Sequence, residues 1–302
     1  MIKKSKKYYL KYIKYKKINP FHNIRTIVEL FIPMVATSVY NVLDKTMIGT
    51  ITHSNFENGY YEQTTKIISV LMVIITSLGT VLLPRMAATF KNGKKDEFTK
   101  QVDSAYKFVI FISCPMCFGV IACSTNLVKW FLTPEFNYVS ILLKIYAIVL
   151  LLIPLSNIAG AAVLTPIGKQ NKGTKAVLLG ALVNFVANII LINCFKSAGA
   201  AIATILAELA VTVTHFYYIR EYISFRNLIR YFINHIIVSF AMMVVIVEIT
   251  KLIEQIVTKP FFISLIQILI GALFYITVVT FVLKDRVIRN ALEEMRRKKV
   301  EC

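Results

Sequence analysis

The sequence predicts an all-α membrane protein of eight transmembrane helices. Three observations carry that reading. The 302-residue chain is 57% hydrophobic, its mean hydropathy is +0.65, and its apolar residues gather into stretches of the roughly 20 residues that a helix needs to cross about 30 Å of hydrocarbon. Its basic residues then sort to one side of those stretches. An even number of spans puts both ends of the chain on one side, and both ends are basic.

The stretches run over 27–50, 65–90, 106–128, 139–165, 174–194, 197–218, 232–254 and 261–283. Of 35 Lys and Arg, 28 fall in the N-terminal arm and in every second connection, counting Arg85, Lys107 and Lys175 with the connections they flank. The alternate connections hold only Lys129, Lys196, Lys251 and Lys259, and Lys45, Lys66 and Lys144 lie within spans. The positive-inside rule therefore predicts both termini in the cytoplasm of a multi-pass protein of the cell membrane. The net charge of +19 reads as topology and attraction to anionic membrane lipids, and not as nucleic-acid binding.

Four segments follow in order. Residues 1–26 form a basic arm with interleaved tyrosines and no small-residue cleavage site, suited to lying at the cytoplasmic interface. Residues 27–218 hold six spans, 219–283 two additional ones, and 284–302 a basic cytoplasmic tail. Pro33, Pro84, Pro115 and Pro154 interrupt backbone hydrogen bonding inside spans, which membranes tolerate where neighbouring helices or a cavity satisfy the freed groups. Small residues in Ala159-Gly-Ala-Ala162 and Ser197-Ala-Gly-Ala-Ala201 permit close helix approach. Cys114-Pro-Met-Cys117 has no second pair or histidine at metal-ligand spacing, so packing explains it, and no metal or cofactor is expected.

The sharpest anomaly is Asp44 beside Lys45 in the first span. A charge at bilayer depth costs about 2.5–3.5 kcal/mol or more, so such residues usually serve a polar interior. Thr37, Tyr40, Asn41 and Asp44 share one helix face, giving that span a wet stripe. Asp44 and Lys45 are about 100° apart around the axis and make a poor mutual pair, so at least one needs a partner on another helix. Lys66 and Lys144 enter their spans from outside at a depth like that of Lys45, which suggests one outward-opening basic chamber. Deeper, Asn184, Asn188 and Glu208 stand near mid-membrane on two spans joined by a turn at Lys196. A bond between Asn184 and Glu208 would tie helices together, whereas a desolvated Glu208 could exchange protons or bind a cation. Every external loop is short, with no phosphate loop or nucleophile triad, so nothing recommends an enzyme.

Ordered strings add a resemblance. Phe31-Ile-Pro33, Leu43-Asp-Lys-Thr-Met-Ile-Gly49, Gly59-Tyr-Tyr-Glu-Gln63, Lys66-Ile-Ile68 and Leu83-Pro-Arg85 are followed by Leu164-Thr-Pro-Ile-Gly-Lys-Gln-Asn-Lys172 and Gly199-Ala-Ala-Ile-Ala-Thr204. Together they resemble the second half of bacterial polysaccharide repeat-unit flippases, the O-antigen and capsule exporters of the multidrug/oligosaccharidyl-lipid/polysaccharide superfamily. The resemblance implies a six-helix second lobe plus two trailing helices, and passage of undecaprenyl-pyrophosphate-linked oligosaccharide between leaflets by alternating access. It implies a substrate-binding role for Lys45, Lys66, Lys144, Arg85 and Asn41, and a coupling or positioning role for Asp44, Glu208 and Asn184. Family members have about twelve to fourteen spans, so the resemblance leaves the first lobe unmatched. A separately encoded first lobe or a homodimer partner would complete the cavity. A cation-coupled multidrug exporter, a membrane polymerase or acyltransferase, and an inactive fragment are the alternatives.

Overall fold

The structure, a computed structural model, describes residues 24–285. The basic arm expected up to residue 26 and the tail expected from residue 284 lie almost wholly outside the described residues. So do the side chains of Thr37, Tyr40, Asn41 and Pro33, although their backbone is helical.

A helix or helical leg occupies each of the eight predicted stretches. They are α1 (Ile24–Thr52), α2 (Asn55–Lys91), α3 (Lys95–Phe131), the short pair α4 (Val139–Tyr146) and α5 (Val149–Asn157), α6 (Gln170–Ile219), α7 (Phe225–Ile256) and α8 (Pro260–Phe281). Among the described residues four helices are long and apolar enough to cross a membrane, and a fifth if the bent pair Pro134–Tyr146 and Val149–Leu164 counts as one span. One of the four is α6, whose 50 residues fold back at Lys196, the one residue in it with non-helical angles (φ 51°, ψ −129°). Contacts across the fold-back pair Gly180 with Val211 and Gly199 with the Leu191 carbonyl, so α6 is an antiparallel hairpin with legs 170–195 and 197–219.

Local chemistry explains the turns. Ser54 caps α2, its hydroxyl accepting from the Glu57 amide at 3.4 Å. Gly93, at φ 74°, turns the chain between α2 and α3 where an L side chain would be strained. Glu57 also caps the second leg of the hairpin. Its Oε2 accepts from the Ser197 amide at 3.2 Å and hydroxyl at 2.6 Å, and Lys196 Nζ lies 3.8 Å from Oε1. A carboxylate at a helix N-terminus complements both the orphan amides and the dipole.

The predicted span 139–165 departs from a straight helix. It bends by 48° between α4 and α5, and the turn after α5 is a π-helix (Ile158–Leu164). Pro154 lies one turn before that π segment. Thr212 on α6 donates to the Leu152 carbonyl at 3.2 Å, and the Ser156 hydroxyl lies 3.0 Å from His215 Nδ1, so α6 supplies polar partners to this irregular stretch.

Two buried clusters organise the molecule. The larger joins α1 to α6 around Ile48, Tyr106, Leu142 and Leu150. A smaller one, with Cys123, Val238, Met242 and Tyr275, seats α7 and α8 on α3. The outward faces stay apolar, as at Leu182, Ile190, Val213 and Leu273, the inverse of a soluble protein.

Candidate functional site

The site begins with two adjacent residues pointing different ways. Asp44 is 1% exposed and faces inward, where three elements supply donors. Tyr61 of α2 donates to Oδ2 at 2.7 Å, Thr204 on the second leg of α6 contacts the same oxygen at 3.1 Å, and Asn188 on the first leg donates to Oδ1 at 2.5 Å. The Tyr61 and Thr204 hydroxyls lie 2.9 Å apart, and Asn188 also donates to Asn184 Oδ1 at 3.1 Å. One carboxylate thus ties α1 to α2 and to both legs of α6. Among the described residues it makes no ion pair, so hydroxyl and amide dipoles alone meet its charge. A further polar oxygen, Asn188 Oδ1, is buried there without a hydrogen-bond partner among the described residues. Among these residues no three His, Cys, Asp or Glu side chains come together as a metal-ion site.

Lys45 turns to the other side of α1, into a groove of about 590 Å³. It lies 3.7 Å from Glu62, which also pairs with Lys66 at 2.9 Å. Lys66, donating to it, and the nearby Lys45 ammonium hold the Glu62 carboxyl below the usual carboxylate range. The groove wall therefore carries two ammonium groups, both paired with the neighbouring Glu62 carboxylate. Thr65, Ser69, Asn58 and Tyr146 add polar atoms to it, and Asn58 Oδ1 has no partner among the described residues.

The structure separates the other expected site residues. Lys144 is exposed on α4 and does not line the groove, which corrects the expectation of a three-lysine chamber. The reason is angular: Tyr146, two residues on, faces the groove, and two residues place side chains about 200° apart around a helix. Arg85 is exposed near the end of α2, at the opposite end of that helix from Lys66. Asn184 bonds Asn188 and not Glu208. Glu208 is 7% exposed on the second leg of α6, one turn beyond Thr204 and near Tyr146. Asn41 lies one turn before Asp44 with its side chain outside the described residues. Sequence reasoning missed Glu62, Tyr61 and Glu57 as participants, although Glu62 sits four residues from Lys66, the spacing of a helical ion pair.

Against known proteins, residues 2–270 match the family described as Lipid II flippase MurJ. The chain belongs to that family. It is 24% identical over 211 residues to a probable low-salt glycan biosynthesis flippase, Agl15, of Haloferax volcanii, covering 68% of this chain and 44% of that protein. It is 26% identical over 165 residues to the lipid II flippase MurJ of Bacillus subtilis, covering 53% of this chain and 30% of that one. The solved lipid II flippase MurJ in an inward closed conformation superposes with a TM-score of 0.73 at 21% identity, over 91% of this chain and 58% of that one. This MurJ-family chain therefore spans less than half the length of the curated relatives it matches. The match supports a MurJ-like multi-pass membrane fold, with the described groove on one side of it.

Proposed function

We propose that this chain forms part of a flippase that carries undecaprenyl-pyrophosphate-linked oligosaccharide across the cytoplasmic membrane, moving it without making or breaking covalent bonds. The observation that carries the reading is the pairing through Glu62 of Lys45 and Lys66, two lysines on the wall of one groove. A pyrophosphate is a doubly anionic group for which two ammonium groups are suited partners, and its arrival displaces Glu62 from them. Glu62 meanwhile keeps both lysines extended into the groove when no anion is present. Asn58 and Ser69 offer hydrogen bonds to sugar hydroxyls.

Asp44 is the coupling residue of this proposal, with Asn184, Asn188 and Thr204 positioning it and Glu208 as a second carboxylate on the same hairpin. Among the described residues its charge is balanced only by dipoles, so a proton or a small cation arriving there replaces hydrogen bonds that now tie three helices together. The basic end of the bundle faces the cytoplasm and its anionic lipids, where Arg85 meets the incoming head group. Lys144 lies outside the groove wall and serves only if a partner surface meets α4. That surface belongs to a separately encoded first lobe or to a second copy of this chain. The capsule or O-antigen repeat unit expected from the sequence and the lipid II named for the MurJ relatives share the pyrophosphate linkage that the lysines recognise.

The test is translocation of fluorescent lipid-linked oligosaccharide in proteoliposomes, with the chain alone and with a co-expressed first-lobe polypeptide. Lys45→Ala and Lys66→Ala are expected to lower the rate at least about tenfold, the scale set by losing a hydrogen bond to a charged group. Unchanged rates in both variants overturn the assignment. Supplying lipid II or a capsule-type repeat unit as substrate decides between the two glycans.

A further inference from the structure

Helices α1 and α2 are joined twice within one turn, once at the Asp44 cage and once beside the Lys45 groove. On α1 the joining residues are Asp44 and Lys45, and on α2 they are Tyr61 and Glu62. Tyr61 donates to Asp44 at 2.7 Å, and Glu62 lies 3.7 Å from Lys45. Consecutive helical residues point about 100° apart, so each helix sends one side chain to the cage and its neighbour towards the groove. A movement of α2 along or about its axis therefore strains both links.

The two links are unequal. Tyr61 is 2% exposed, and its hydroxyl also lies 2.9 Å from that of Thr204 on the second leg of α6. One turn earlier on the same face of α2, Glu57 accepts from the Ser197 amide and hydroxyl at the start of that leg. Positions 57 and 61 are thus the anchored edge of α2, set against α6. The Tyr61 ring packs edge-on against Tyr146 with centroids 5.9 Å apart, and both residues line the groove. One side chain therefore reaches the cage with its hydroxyl and the groove with its ring. Beside the groove the contact is looser. The Lys45 and Glu62 side chains are 39% and 38% exposed, and an ion pair so open to solvent contributes little by itself.

Glu62 has lysine partners of two kinds. Lys66 stands four residues further along α2 and follows Glu62 wherever that helix goes. Lys45 belongs to α1, so its pairing with Glu62 depends on where α2 stands. The firm contact that fixes this position, one residue away, is the Tyr61 hydroxyl on Asp44.

We propose that Tyr61 is the positioning residue that couples the Asp44 cage to the groove, its hydroxyl holding α2 where Glu62 occupies Lys45. The inference rests on the reading of the groove as a pyrophosphate site. Loosening Tyr61 from Asp44 withdraws Glu62 from Lys45 and leaves that ammonium open to an anion. Linkage between two sites is reciprocal, so an anion that takes Lys45 from Glu62 weakens the hold of Tyr61 on Asp44. An event at the buried carboxylate is felt in the groove without any substrate contact to Asp44.

Inorganic pyrophosphate titrated calorimetrically into the full chain in lipid nanodiscs tests the coupling. Lys45→Ala should lose binding, which checks the groove reading itself. Tyr61→Phe keeps the ring against Tyr146 and removes only the hydroxyl. It is expected to bind pyrophosphate about twofold to fivefold more tightly, the scale of a half-exposed ion pair. A hydroxyl needed only for folding would weaken binding or leave it unchanged. Glu62→Gln removes the competing carboxylate, and in that background Tyr61→Phe should change nothing. Unchanged or weaker binding by Tyr61→Phe, or the same gain with and without the Glu62 carboxylate, overturns the coupling, while Lys45-dependent binding leaves the groove reading standing. Pyrophosphate binding indifferent to Lys45→Ala overturns that reading and the coupling with it.

Discussion

Asp44 and Lys45 show how adjacent residues acquire opposite duties. About 100° of helix rotation sends the carboxylate into a cage of dipoles and the ammonium into an open groove. That a charge pair in an apolar stretch needed partners elsewhere was legible in the sequence; which partners was not. Asn188 and Thr204 stand 144 and 160 positions from Asp44, and no local pattern links them. Lys144 failed the expected grouping because similar depth along a span says nothing about the angle around it. The cage predicts its own energetics. Asp44→Ala removes the buried acceptor shared by Tyr61, Thr204 and Asn188 and leaves them their weaker contacts with one another and with Asn184, at a cost of about 1–3 kcal/mol, while Asp44→Asn retains an acceptor oxygen and loses less. Thermal unfolding in detergent should rank unaltered protein above Asp44→Asn and Asp44→Ala last. Equal midpoints would show that the network does not hold α1 to α6.

Helix-scale organisation depends most on the hairpin of α6. The sequence announced a turn at Lys196 through a basic residue between two apolar stretches and small residues after it, and all of Ser197 to Ala201 are buried. Its severity was hidden. A Cβ added to Gly199 would stand 2.0 Å from the Leu191 carbonyl oxygen and 2.3 Å from its carbon, backbone atoms that cannot swing aside. Gly199→Ala is therefore expected to destabilise by about 3 kcal/mol, the upper range of overpacking. Lys196 has the opposite tendency. It holds φ at 51°, where glycine is at ease, and its contact with Glu57 is long and exposed. Lys196→Gly should thus stabilise by up to about 1 kcal/mol, so unfolding midpoints of the two variants move in opposite directions. The bend between α4 and α5 was not legible, since residues 139–165 read as one continuous apolar run. Tyr146 and Val149, which flank the bend, are both buried.

Across the whole molecule, the alternation of basic and lean connections survives folding as two chemically distinct ends. Lys91, Lys94, Lys95, Lys169, Arg220 and Lys284 cluster with the connections at one end, and the Lys196 turn, the 52–55 connection and the 256–260 connection lie at the other. Ties such as Trp130 Nε1 donating to Ser264 at 3.1 Å and the Tyr231–Asp285 bond confirm which helix ends meet. By the positive-inside rule such a dipolar bundle is expected to sit with its basic end inward. Cys194, exposed two residues before the Lys196 turn, reports the opposite end, and Cys114, Cys117 and Cys123 are buried and silent. With Cys302→Ser removing the remaining thiol, an impermeant maleimide should label Cys194 in intact cells without permeabilisation. Labelling only after the membrane is opened would invert the bundle and place the Lys45 groove on the cytoplasmic half. An anion arriving from the cytoplasm would then meet Lys45 and Lys66 first and Arg85 last, so this one measurement also fixes the direction in which the groove is read.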